Sequence, residues 1–121
     1  MFNLNDSMRY YLYPFPTDMR KGFYTLSGLV NDHMKQSVRS GDVFVFINRS
    51  CTSMKALHME TGGLVIYYLK LEQGSFSLPF FDENERAHPF SWQNLMLIVQ
   101  GLDPEKYKQK KTLERLINKQ F

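Results

Sequence analysis

A single cysteine stands in 121 residues, which excludes an internal disulfide and any zinc site built on paired thiolates. No apolar stretch approaches the roughly 20 residues that span a bilayer. The opening MFNLNDSMRYYLYPF lacks a basic segment followed by an apolar run, so no secretory signal is expected. The expectation is a soluble, cytoplasmic protein with no membrane partner. His33, His58 and His88 fall in separate segments without HxH or HxxxH spacing, and nothing in them points to a metal site. The glycines at Gly62-Gly63 and Gly74 do not form a GxxxxGK phosphate loop. Asp82, Glu83 and Glu85 crowd one loop but lack the alternating oxygen ligands and glycine of a calcium loop, and read as a solvated loop. Cys51, in NRSCTS beside Arg49 and Lys55, has no histidine or acid placed to activate it and reads as an incidental thiol. No catalytic residue, cofactor or metal is expected.

What is present is aromatic and apolar: ten Phe and seven Tyr in a chain that is 43% hydrophobic. That supplies enough area to fold one domain, not two. Tyr10, Tyr11, Tyr67 and Tyr68 fall on strand-like segments and read as core and sheet packing with rim hydroxyls, ahead of a base-stacking platform. The net charge is +3, and its placement matters more than its size. Residues 1–102 hold nine cations and nine acids, so the whole excess lies beyond them, in Lys106, Lys108, Lys110, Lys111, Arg115 and Lys119. Such a tail favours a polyanion through phosphate neutralisation, or is a solvated helix face.

MRYYLY at residues 8–13 reads as a strand stopped by Pro14 and Pro16. A helix follows, with Thr17 as its cap, Asp18 in the first turn, and Met19, Phe23, Leu26, Val30 and Met34 as its apolar stripe. Gly22 and Gly28 inside it mark close approach of another backbone or, less often, of a ligand. VFVFI at 43–47, apolar on both faces, predicts a covered central strand. A hairpin turning at ETGG spans 54–71, SFSLP is a short strand, and residues 80–90 read as a loop. Ser91 caps a helix to Gln100 with Trp92, Leu95, Met96 and Val99 on one face. Asp103 and Pro104 open a last helix with a narrow stripe, Leu113, Leu116 and Ile117. The fold class is α+β: an antiparallel sheet of about four to five strands, a helix after the first strand, and C-terminal helices. One domain covers residues 1–103, followed by a basic helix or tail over 104–121.

The segments PTDMRKGF (16–23), SGDVFVF (40–46), YYLKLEQGSF (67–76) and LMLIVQGLD (95–103) resemble a known family. It is that of the small accessory protein, called TnpB or second-frame-like, of bacterial insertion sequences of the IS-sixty-six type. It is distinct from the RNA-guided nuclease of the same name. The resemblance covers about residues 9–103 and implies a role beside a separate DDE-type transposase, assisting transposition without cutting strands. Where the family carries an arginine-rich run after the FVF strand, this chain reads NRSCTSMK and keeps Arg49 and Lys55. The expected partners are the transposase of the same element and the DNA of the element ends. Arg20 and Lys21, at a helix entrance whose free N–H groups can take phosphate, join Arg49, Lys55, Lys106, Lys108, Lys110, Lys111 and Arg115 as contacts for DNA or partner. The alternative role is a protein adaptor docking on the transposase without touching DNA.

Overall fold

A computed structural model describes residues 4–78, 82 and 84–100. The elements are β1 (Tyr10–Leu12), α1 (Phe23–Gly28) continuing into a π-helical turn (Leu29–His33), a 3-10 turn (Val38–Ser40), β2 (Val43–Ile47), β3 (Ser53–Glu60), β4 (Gly63–Lys70), β5 (His88–Phe90) and α2 (Trp92–Val99). They form one five-stranded sheet in the order β4-β3-β2-β1-β5. Every pairing is antiparallel except β1 with β2, where Tyr10 lies opposite Val43 and Leu12 opposite Val45. The α+β expectation stands, with one parallel pair inside it.

The centre is β2, whose residues are at most 4% exposed because both faces are covered. Val43, Val45 and Ile47 pack with Tyr10, Leu12, Met54 and Ala56 under Leu95 and Ile98 of α2. Phe44 and Phe46 point the other way, with Leu57, to meet Leu26, Val30 and Met34 of the first helix. Alternation on a pleated strand sends successive side chains to opposite faces, so a continuous apolar run marks a strand sandwiched between two helices. Ser91 caps α2, its Oγ accepting the Asn94 amide at 3.1 Å.

Four expectations need correction. The first helix does not begin at Thr17: the Thr17 amide donates to the Ile47 carbonyl at 2.9 Å, which ties it to the end of β2. A turn follows, in which the Lys21 amide donates to the Asp18 carbonyl at 3.1 Å, and the helix starts at Phe23 after Gly22. Asp18 is therefore not in its first turn. Leu26, Val30 and Met34 are buried as the stripe requires, but Phe23 is 52% exposed. Their spacing of four suits the wider π-helical turn, in which the Met34 amide reaches the Leu29 carbonyl at 2.9 Å. Second, among the described residues nothing comes within 4 Å of a Cβ built on Gly22 or Gly28, so neither marks a close approach. Third, over its described residues, SFSL, the SFSLP segment is not a strand. Phe76 is instead tied by its amide to the Cys51 carbonyl at 2.6 Å. Fourth, the loop over 80–90 contains β5, where Pro89 sits opposite Tyr11 on an edge strand, the place in a sheet that tolerates a missing N–H. The stop signal at Gly101–Pro104, the last helix and the basic tail lie outside the described residues.

Candidate functional site

Because β1 and β2 run parallel, their carboxyl ends leave the sheet on the same side, where open α/β sheets gather ligands. The segment after β1 is laced to β2 by the Tyr13 amide on the Val45 carbonyl and the Thr17 amide on the Ile47 carbonyl, both 2.9 Å. The segment after β2 is held by Asn48, whose Oδ1 accepts the amides of Thr52 at 2.9 Å and Ser53 at 3.0 Å. That bracing sustains a left-handed backbone at Cys51, φ 57°, and carries Arg49 exposed at the tip of the turn. Between the two segments lies an open groove of about 690 Å³ lined by Thr17, Asp18, Lys21, Asn48 and Arg49. A second, more apolar hollow of about 330 Å³, lined by Leu12, Tyr13, Phe15 and Leu78, shares Pro16, Asn48 and Arg49 with it.

The four predicted cations inside the described residues have different fates. Lys21 and Arg49, far apart in sequence, line the same groove, and among the described residues no acid forms an ion pair with either. Arg20 is 92% exposed yet internally paired, its Nη2 2.6 Å from Asp18 Oδ2 and its Nε 3.1 Å from Oδ1. Lys55, expected as a contact for DNA or partner, has a different setting. It is buried on the α1 face of β3, its ammonium donating to the Lys21 carbonyl at 2.8 Å and lying 5.0 Å from the centre of the Tyr68 ring. Lys55 thus holds the Lys21 segment down on the sheet. Lys106, Lys108, Lys110, Lys111 and Arg115 lie outside the described residues.

The hydrogen bonds from the Arg20 side chain, then its backbone amide, hold the Asp18 carboxyl down at about 2. With a folded value below the ordinary 3.8, the ionised pair favours the folded corner above that value and loses its effect as pH falls toward 2. Carboxyl carbon NMR should therefore show Asp18 titrating near pH 2, and Arg20→Ala should return it toward 3.8. An unshifted midpoint in the variant would show the depression to have another source.

The structure also exposes side chains that the sequence reading left unplaced or, as with Phe23 and Tyr68, assigned to packing. Phe15, Phe23, Tyr24 and Tyr68 are the exposed large hydrophobics among the described residues. The signal was there for three of them: Phe15 stands between prolines, and Phe23 and Tyr24 are adjacent on a helix, where neighbours cannot both face one core. Tyr10 is fully buried, its phenol donating to the Asn5 carbonyl at 2.6 Å and pushed up to about 12 by burial. Tyr11 stacks on Phe44, as packing residues do.

At the opposite end of β3, His58 is buried with Nδ1 3.2 Å from Glu60 Oε2 and Nε2 3.2 Å from the Gly41 carbonyl, while the Tyr67 phenol donates to the same Glu60 oxygen. Arg9 pairs with buried Asp42 at 2.9 Å nearby in the fold. These brace the sheet. Among the described residues no three metal-ligating side chains come together, and no helix is long and apolar enough to cross a membrane.

The family model described as "IS66 Orf2 like protein" matches residues 8–109. The chain is 30% identical over 95 residues to "Uncharacterized protein y4jC" of Sinorhizobium fredii, covering 78% of this chain and 80% of that one. It is also 30% identical over 87 residues to "Uncharacterized protein y4hO" of the same organism, covering 72% and 74%. No solved structure matches it.

Proposed function

The chain belongs to the IS66 Orf2-like family, and from that premise we propose that it is a non-catalytic, cytoplasmic accessory protein of insertion-sequence transposition that binds the element's DNA ends beside the transposase of the same element. The observation that carries the DNA reading is the convergence of Lys21 and Arg49 on one open groove. Two cations from separate loops line it, and among the described residues neither forms an ion pair with an acid, which makes a site for the phosphate backbone. Asp18 lines the same groove, but its charge is answered by Arg20. The tail cations Lys106, Lys108, Lys110, Lys111 and Arg115 add to the same long-range attraction.

The test is the salt dependence of binding to DNA carrying the element ends. Each phosphate contact contributes about 0.9 to the slope of log K against log salt. The double variant Lys21→Ala/Arg49→Ala should therefore lower the slope by roughly 2. A slope unchanged in the double variant would remove the groove from the DNA interface. Absence of DNA binding at low salt, with nuclease-resistant co-purification with the transposase, would transfer the role to a protein adaptor.

A further inference from the structure

Four large apolar side chains face solvent among the described residues: Phe15 at 53%, Phe23 at 52%, Tyr24 at 94% and Tyr68 at 53%. Three of them adjoin groove-lining residues along the chain: Phe15 precedes Pro16, and Phe23 and Tyr24 follow Lys21 closely. Phe15 lies edge-on to Tyr13 at 5.6 Å, and Tyr13 lies 5.7 Å from Phe46. Across the sheet, Phe46 is opposite Lys55, and Lys55 opposite Tyr68. The ammonium of Lys55 holds the Lys21 carbonyl, which ties the segment just before Phe23 and Tyr24 to β3 beside Tyr68. Phe15 also lines the apolar hollow that shares Arg49 with the groove.

Exposed aromatic rings interleaved with cations are what unpaired nucleotides require, because each free base offers a π-face and each linkage a phosphate. A duplex hides those faces in its stack and is read through its grooves by polar and cationic side chains on an inserted element. The first helix, FYTLSG, carries no cation, and leads instead with its two exposed rings. Resting on the DNA-binding reading above, we infer that this corner takes single-stranded DNA, with bases stacked on Phe15, Phe23 and Tyr24 and phosphates on Lys21 and Arg49. The ligand is the unpaired strand exposed when an element end is opened, and the apolar hollow beside Arg49 receives one base. Asp18 does not oppose it, since its charge is held by Arg20.

The experiment is fluorescence anisotropy of the full chain with a labelled oligothymidine of about ten nucleotides, within the usual footprint of such sites, against a duplex of equal length at matched salt. The single strand should bind at least about tenfold more tightly, and Tyr24→Ala should cost about tenfold on it, as stacking losses do. The salt slope should stay unchanged in Tyr24→Ala, and Tyr24→Trp should restore affinity. Tyr24 is nearly fully exposed, so the fold survives its truncation. Equal or tighter binding of duplex, or a single-strand affinity indifferent to Tyr24→Ala, overturns the inference while leaving the DNA reading in place. Failure to bind either form overturns the inference, and failure to bind a duplex carrying the element ends as well overturns both. If Tyr24→Ala abolishes co-purification with the transposase and leaves single-strand affinity intact, the patch is a protein docking surface and the inference falls.

Discussion

Phe46→Ala should lower the unfolding free energy by about 3–5 kcal/mol, the usual cost of deleting a buried phenyl ring and leaving its cavity. Phe46 is fully buried in the strand that both helices cover, with Tyr13 on one side and Lys55 opposite it on β3. Neighbours fixed from two directions cannot collapse into the space, which places the cost at the upper part of that range. Against the total of about 5–15 kcal/mol typical of a domain, this is enough to leave a large unfolded fraction. Urea unfolding would show a lower midpoint at unchanged slope. Phe15→Ala is the contrast: its ring is half exposed, and the change should stay within roughly 1 kcal/mol. Similar losses at both positions would contradict the two-sided burial of β2.

Lys55→Ala should cost roughly 2–3 kcal/mol, the second largest effect expected, although a lysine on a strand between hydrophobic residues ordinarily reads as a solvated charge. Two losses combine. The Lys21 carbonyl loses a charge-assisted hydrogen bond of 2.8 Å, and the aliphatic stem stops filling the space beside Tyr68. Lys55→Met returns the stem without the ammonium, so its residual loss isolates the hydrogen bond, about half of the whole. Removing a buried charge also relieves its desolvation, which is why the Met variant should recover so much. Amide exchange at Lys21 to Phe23 should rise in both variants, because the bond they lose is the one that pins that segment. The salt slope of DNA binding should not change in Lys55→Met, since the ammonium is committed inside the protein. A slope reduced by about 1, the signature of a lost phosphate contact, would return Lys55 to the DNA interface.

The central strand, the hairpin and the cap of α2 were legible because each writes its signal locally. VFVFI can be apolar on both faces only if covered twice, TGG supplies the positive φ of Gly62 and Gly63, and Ser91 caps three residues ahead. What escaped depended on distant partners. Thr17 and Asp18 carry a helix-entrance signature, but the Thr17 amide is claimed by Ile47, thirty residues on in the fold's other parallel strand, and the Asp18 carboxyl by Arg20. Once those groups were taken, the helix had to start later. Pro89 argues against a strand, and only the outer edge of β1 makes β5 possible. The site was half legible for the same reason. Arg20, Lys21, Arg49 and Lys55 could be named from their charge, but charge does not say that Lys21 and Arg49 share a groove, that Arg20 is already matched, or that Lys55 is buried.

The strand order has a consequence for how the chain is made. Among the described strands β1 leaves the ribosome first, yet its neighbours are β2 and β5, the latter ending at Phe90. Strands β2, β3 and β4 are successive hairpin neighbours and can pair as they emerge, whereas β1 must wait for the crossover of residues 13–42 and then for a strand from the far end of the described chain. A nascent chain that stops short of residue 88 therefore keeps one flank of Tyr10–Leu12 unpaired, an invitation to stray strand pairing that β5 closes at the last step.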